Sequence, residues 1–280
     1  MSGEQKQSIT GAASSDELWQ SIRAEAATAS ALEPALSSFY HAAILNHQTF
    51  QAAISFHLAN KLDSPVLSAM LIREVFQEAL NADATIEPAM LADICAHRER
   101  DPACSDLSMP LLFFKGYHAV QSYRIAHWLW RQGRECLALY LQNQISQSFG
   151  VDIHPAAVIG KGIMVDHATG VVMGETVVIE DNVSLLHGVT LGGSGCTKSD
   201  RHPKIRRGVL IGVGAKILGN IEIGEGAKIG AGSVVLEAVP AHTTVAGVPA
   251  RIVGRPAAPE PALDMDHHLN DEGSNKLSPQ

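Results

Sequence analysis

Apolar residues change their spacing near the middle of this 280-residue chain, and the change divides the sequence into two kinds of structure. In the first half the spacing is helical. Ser14 followed by Glu17 has the form of a capping box, and Leu18 and Ile22 begin an apolar stripe behind it. Leu32, Leu36, Phe39, Tyr40 and Ile44 recur at helical intervals, which predicts one buried face. Ser64-Pro65 reads as an N-cap followed by proline at the first helical position, and Val66, Ile72, Val75, Phe76 and Leu80 continue that helix. Two more helices are predicted over 117–131 and 135–148, parted by Gly133 and ended by Gly150. Phe39, Tyr40, Trp128 and Trp130 are helix-packing residues on this reading.

Beyond Gly150 the period becomes six. Ile153, Ile159, Val165, Val171, Val177, Val183 and Val189 follow at equal steps, and Ile205, Ile211, Ile217, Ile223, Ile229 and Val235 resume them after an interruption. A helix needs apolar residues every 3.6 positions and an ordinary half-buried strand every second one, so neither explains the pattern. Stacked coils do: short strands turn at regular corners, and each coil buries its Ile/Val row against the next. Gly160, Gly174, Gly212, Gly224 and Gly230 lie beside the anchors, where corners demand positive φ or close backbone approach. From Val189 to Ile205 the gap is sixteen, one hexad plus ten, so residues 195–204 are expected to leave the solenoid as a loop. Pro256, Pro259 and Pro261 then introduce a polar tail, over 255–280, expected to be flexible. The fold class is therefore α+β: a disordered start over 1–14, a helical domain over 15–150, and a solenoid over 151–254 with an extruded loop.

Composition narrows the function classes. A hydrophobic share of 46% supports a real core. No apolar run approaches membrane-spanning length, and the polar residues before Ser15 lack a signal peptide's basic start and apolar stretch, so the cytoplasm is the expected location. Cys95, Cys104, Cys136 and Cys196 have no CxxC spacing and read as free thiols, with no metal site. A net charge of −8 without a long basic run argues against nucleic acid but admits a small, partly anionic ligand.

Seven segments then carry a resemblance. They are Arg100-Asp101-Pro102, Asp152-Ile153-His154-Pro155, Asp166-His167-Ala168-Thr169-Gly170, Gly174-Glu175, Thr190-Leu191-Gly192-Gly193, Asp200-Arg201-His202-Pro203-Lys204 and Ala246-Gly247-Val248-Pro249-Ala250-Arg251. With the helical first half, over residues 15–255, they resemble the serine O-acetyltransferases, a family of left-handed parallel β-helix acyltransferases. The resemblance implies transfer of acetyl from acetyl-CoA to the hydroxyl of L-serine, with no tightly bound cofactor. It also implies a homotrimer or a dimer of trimers joined through the helical domain, and inhibition by L-cysteine, with Asp264-Met265-Asp266 in the tail segment associated with that feedback. Family members that dock into O-acetylserine sulfhydrylase end in isoleucine; this sequence ends Leu277-Ser278-Pro279-Gln280, which leaves that partner open.

Acetylating a hydroxyl with a thioester calls for a base, an acid for the departing thiolate, and stabilisation of an oxyanion. His167 matches the family's catalytic position, with Asp152 as the carboxylate that orients it. The two are fifteen residues apart, three short of an eighteen-residue coil, which suggests neighbouring coils near one corner. The resemblance assigns Asp101 and Asp166 to serine's ammonium, and Arg201 and His202 to its carboxylate. Gly193, Gly214 and Lys228 are candidates for coenzyme A: the glycines for close approach of the pantetheine, the lysine for a phosphate. His187 reads as a packing residue or as a neighbour of the catalytic corner, and His267 and His268 as inert tail residues. Two other enzymes share such a solenoid: an acetyltransferase acting on a sugar or other hydroxyl, and a zinc carbonic anhydrase that would use His154, His167 and His187. A purely structural solenoid is the remaining reading.

Overall fold

The computed structural model describes residues 14–195 and 199–269; the expected disordered start before Ser14, Cys196 and the terminal Leu277-Ser278-Pro279-Gln280 lie outside the described residues. The chain forms two compact units that part between Gly150 and Val151. None of the described helices is long and apolar enough to cross a membrane.

The first unit is helical: α1 (Ser15–Leu32), α2 (Ser37–Tyr40), α3 (Phe50–Lys61), α4 (Ala69–Ala82), α5 (Ile86–Arg100), α6 (Ser108–Phe113), α7 (Lys115–Arg131) and α8 (Glu135–Phe149). The capping box forms, with the Glu17 N–H donating to Ser14 Oγ at 3.3 Å and the Ser14 N–H to Glu17 Oε2 at 2.7 Å. Two expectations are corrected. The stripe from Leu32 to Ile44 is not one face, because α1 stops at Leu32 and the chain passes through a 3-10 turn (Pro34–Leu36), α2 and a wider π turn (His41–Leu45). Each change of pitch rotates the side chains, leaving Leu32 79% exposed while Tyr40 and Ile44 are buried. Ser64-Pro65 does not open a helix either. Ser64 Oγ accepts the Leu67 N–H at 3.0 Å and Asp63 Oδ1 the Ala69 N–H at 2.6 Å, so this loop closes on itself and α4 starts at Ala69, with Val66 81% exposed. Inside the unit, a buried Asp93–Arg124 ion pair at 2.7 Å ties α5 to α7, and Gln121 Nε2 donates to the same carboxylate oxygen at 3.0 Å.

The second unit is a prism of parallel coils built from β1 (Val151–Ile153), β2 (Val158–Ile159), β3 (Met164–Asp166), β4 (Val171–Met173), β5 (Val178–Ile179), β6 (Ser184–Leu186), β7 (Thr190–Gly192), β8 (Lys204–Ile205), β9 (Leu210–Ile211), β10 (Lys216–Leu218), β11 (Glu222–Ile223), β12 (Lys228–Ile229), β13 (Val234–Val235), β14 (Thr244–Gly247) and β15 (Ala250–Gly254). Its three faces are the sheets β1-β4-β7-β10-β13, β2-β5-β8-β11 and β3-β6-β9-β12-β14-β15; only the final β14–β15 pair is antiparallel. The expected fold class, helices followed by a parallel β-helix, is the one observed.

The register sharpens the hexad reading. Val151 pairs with Val171, so the first coil takes twenty residues; Val172 pairs with Thr190 after eighteen, Thr190 with Lys216 after twenty-six, and Lys216 with Val234 after eighteen. The residues in ladder with Ile153, Ile159 and Val165 are therefore Met173, Ile179 and Leu185, two positions beyond the counted anchors. Val171, Val177 and Val183 are buried as well, because positions two apart on a strand share the inner face, so a strict count of six slipped past the insertion unnoticed. The same slip inflated the loop: the long coil exceeds eighteen residues by eight, not ten.

The tail expected to be flexible is seated on the prism over its described part. Helix α9 (Pro261–Asp264) carries the fully buried Ala262, whose N–H donates to Gly208 O at 3.2 Å and whose carbonyl accepts from Ser184 Oγ at 2.9 Å.

Burial gives the helical unit an acid limit. Burial, with the charge of Lys61, pushes His57 down to about 4; burial and Arg100 push His97 to about 3; His118, ring to ring with His57 at 5.3 Å, is lowered as well. These rings are neutral when folded but titrate near 6.5 when unfolded, so the unfolded chain binds more protons below that pH. Their contribution is present above pH 6.5 and is lost as pH falls toward 4. Circular dichroism melts between pH 7 and pH 4.5 should show the helical signal losing stability, and the His57→Phe variant a shallower decline; equal slopes would contradict the assignment.

Candidate active site

His167 occupies the turn between β3 and β4, which holds two residues more than its counterpart in the next coil: eight positions separate Val165 from Met173, but six separate Leu185 from Leu191. The chain absorbs the surplus in a tight double turn. The Ala168 N–H donates to Asp166 O at 2.6 Å and the Thr169 N–H to His167 O at 2.7 Å, with φ of 55° at His167 and 59° at Ala168. Side chains with a Cβ rarely take that conformation, and each such residue costs on the order of 1–3 kcal/mol. The result is an imidazole held clear of the prism edge, its side chain 77% exposed and its Nε2 3.8 Å from Asp166 Oδ2. Coil stacking puts His187 directly beyond it, at 5.8 Å between ring centroids and 78° between planes. Sequence reasoning left His187 between packing and a place near the catalytic corner, and its edge-to-face approach to His167 places it at this corner. Gly214 continues the same edge, its N–H donating to His187 O at 2.9 Å and open space standing where a Cβ would be.

A second cluster stands at the other end of β4. Arg201 Nη2 meets Glu175 Oε2 at 2.9 Å. Thr176 is the hub: its Oγ1 accepts the N–H groups of Arg201 at 3.1 Å and His202 at 3.2 Å. The Thr176 N–H donates in turn to His202 Nδ1 at 3.2 Å, with Oγ1 2.8 Å from the same nitrogen. Accepting at Nδ1 leaves the proton of the neutral ring on Nε2. Burial, then the Arg201 charge, lowers the His202 pKa and favours that neutral form. Its ring lies on Gly174, the one position here where any side chain would overlap Nε2. Gly193 also approaches this loop, since a Cβ there would sit 3.1 Å from Arg201 Cγ.

The remaining candidates are more scattered. Asp152 is on β1, in register with Val172 of the next coil; the first coil's twenty residues contain both Asp152 and His167, so the expected placement on neighbouring coils does not hold. The carboxylate set against His167 is that of Asp166. His154 neighbours Asp152, Glu175 and Arg201 electrostatically, and burial lowers its pKa. In the helical unit, Asp101 ends α5 and its Oδ1 accepts the Ala103 N–H at 2.8 Å. Lys228, on β12, is nearly buried beneath the tail, donating to His268 O at 2.6 Å with Asp266 Oδ2 at 3.8 Å. His267 feels the charges of both Lys228 and Asp166, with burial the larger influence on its lowered pKa. Among the described residues no three His, Cys, Asp or Glu side chains are grouped closely enough to hold a metal ion. Sequence reasoning gave Thr176 no role. Its signal was a separation of twenty-six from His202, meaningful only once the length of the long coil is known.

Comparison with known proteins gives these clusters a context. A family model described as the N-terminal region of serine acetyltransferase matches residues 18–122, and a bacterial transferase hexapeptide model matches 202–237. The chain is 62% identical to a serine acetyltransferase of Salmonella typhimurium over 253 residues, 90% of this chain and 93% of that one. A crystal structure of serine acetyltransferase from Vibrio cholerae superimposes with a TM-score of 0.91 at 63% identity, covering 92% of this chain and all of the other. A serine acetyltransferase solved in complex with cysteine matches with a TM-score of 0.90 at 57% identity, covering 92% and 100%.

The seat of His202 yields a test. Gly174→Ala introduces a methyl group where the ring lies, so His202 and the adjoining Arg201 must move. Expected is a drop of roughly tenfold or more in kcat/KM, with a melting temperature within a few degrees of wild type; unchanged kinetics would show that the seat is unimportant.

Proposed function

The chain belongs to the serine acetyltransferase family and transfers acetyl from acetyl-CoA to L-serine, the first step of cysteine biosynthesis, and on that premise we propose how its residues divide the work. His167 takes the proton of serine's hydroxyl as the oxygen attacks the thioester carbonyl. When the tetrahedral intermediate collapses, the imidazolium returns that proton to the departing thiolate of CoA, so no covalent acetyl-enzyme is needed. The observation that carries this assignment is an exposed imidazole, held in a strained turn beside a carboxylate. Asp152 is the proposed orienting carboxylate. Asp101 and Asp166 would receive serine's ammonium, and Arg201 and His202 its carboxylate, a match of an arginine fork and an Nε2–H donor to two oxygens.

The two halves of this serine site begin at opposite ends of β4, about 10 Å apart for a three-residue strand. Within one chain, a single serine would have to bridge that gap. A trimer of prisms solves the problem by setting the His167 edge of one chain against the Arg201 edge of another, and such a homotrimer, or a dimer of trimers, is the proposed assembly. Acetyl-CoA would run along the groove between chains, with Gly214 on the His167 edge and Gly193 beside Arg201. Cysteine differs from serine only by sulfur for oxygen and would take the same pocket as an inhibitor, a reading supported by the cysteine-bound relative. The cytoplasm is the proposed location.

Mixed assemblies test this division. His167→Ala alone should lose ~10²–10⁴-fold in kcat, and Arg201→Ala should raise the serine KM. Co-expressed, the two impaired chains should recover wild-type-like turnover at low serine, at about a quarter of sites in random trimers. No recovery would place both halves in one chain and sink the shared-site reading.

Lys228 gives a second test. Deleting residues 259–280 removes the tail's hold on that ammonium, so the acetyl-CoA KM should fall while inhibition by cysteine weakens; an unchanged acetyl-CoA KM would remove Lys228 from the CoA site.

A further inference from the structure

Lys204 closes the Asp200-Arg201-His202-Pro203-Lys204 segment, and no role in the reaction has so far been given to it. It is the first residue of β8, where the long coil re-enters the prism. A lysine beside a proposed anion site invites the reading of a second ligand for serine's carboxylate or for a phosphate of CoA. The geometry excludes that reading. An ammonium has three N–H donors, and here each has an oxygen: Thr176 O at 2.6 Å, Asp200 Oδ1 at 2.6 Å and His202 O at 2.9 Å. The side chain is only 20% exposed.

The three acceptors have different origins, and that difference gives the arrangement its meaning. Thr176 O is a backbone carbonyl of the preceding coil, Asp200 Oδ1 a side-chain carboxylate on the returning arm of the loop, and His202 O a backbone carbonyl just before β8. Thr176 meanwhile offers Oγ1 to the N–H groups of Arg201 and His202. The loop's last residues are thus held both by the Thr176 hydroxyl and by the Lys204 charge. Asp200 contributes its own charge at the same point, its pKa lowered first by the bond from Lys204.

We propose that Lys204 is a positioning residue for the serine-carboxylate pair: by joining Thr176, Asp200 and His202 through one nitrogen, it fixes the register at which Arg201 and His202 face the substrate. This inference rests on the reading of Arg201 and His202 as carboxylate ligands. Lys204 itself touches no substrate. Its loss therefore acts on serine recognition and leaves the His167 corner and the acetyl-CoA groove as they are.

Steady-state kinetics of Lys204→Met test this in the full-length enzyme, with Arg201→Ala in parallel. Expected is a rise of about tenfold or more in the serine KM, with the acetyl-CoA KM within about twofold of wild type and kcat changed far less than the serine KM. Lys204→Cys treated with 2-bromoethylamine, which rebuilds an ammonium at lysine length with sulfur in place of Cγ, should recover the serine KM, judged against wild type treated identically because Cys136 is exposed. An equal rise in both KM values, or no recovery on aminoethylation, would mean that Lys204 merely supports the fold and would overturn the proposal. If Arg201→Ala raises the serine KM and Lys204→Met does not, the positioning role fails alone. If Arg201→Ala leaves the serine KM unchanged, the carboxylate reading beneath it fails as well.

Discussion

Every coil of the prism must hand its backbone N–H and C=O groups to the coil beside it, because a strand of two or three residues cannot satisfy them by itself. That obligation fixes which positions can vary. Residues added within a strand would break the ladder on both sides, whereas residues added at a corner are expelled from the prism without disturbing it. Both proposed halves of the active site are such expulsions. Two extra residues in the first coil raise His167 at one edge; eight in the long coil bring Arg201 and His202 to another. The other coils take eighteen residues, or sixteen for the last, and carry no candidate catalytic side chain on their turns.

An expelled segment has lost the ladder's hydrogen bonds and must find others. The short turn closes its own backbone in two consecutive three-residue loops and takes on left-handed strain at His167 and Ala168. The long one borrows from its neighbours, with Thr176 and Lys204 supplying what the ladder would have given. Arg206 adds a seam just past the re-entry point, pairing with Glu180 on one side at 2.7 Å and with Glu222 on the other. Exposed ion pairs of this kind contribute little singly. Here they join coils on both sides of the long one.

Much of this was legible from residue spacing, and the errors have a common cause. The period of six announced the solenoid, and its interruption announced the loop. The count went wrong between Val165 and Val189 because two inner positions per hexad are both apolar, so either can be followed and a two-residue insertion changes which one is being read. That insertion is the turn of His167, found through its motif and invisible to periodicity. In the helical unit the pattern failed where the backbone changed pitch between Pro34 and Leu45, since spacing reports a face only while the turn per residue is constant. Thr176 and the tail's hold on Lys228 could not be read from spacing alone, because each depends on residues brought together by coil lengths that spacing does not determine. The acyltransferase chemistry came from the motifs and the family match; the geometry sets the two proposed halves of the site on two edges.

The corner turn that lifts His167 also separates two properties that most enzymes keep entangled. In a packed globular core, reshaping the active site perturbs the side chains that hold the fold. Along this prism the proposed reactive groups hang outside the ladder, on segments whose length the coils do not sense. New side chains, or longer turns, can be tried there while the stacked Ile and Val rows go on stabilising the molecule unchanged. Such a scaffold is evolvable by insertion: its chemistry can drift to other hydroxyl acceptors by editing corners, with little of the stability cost that ordinarily limits how far an active site can wander.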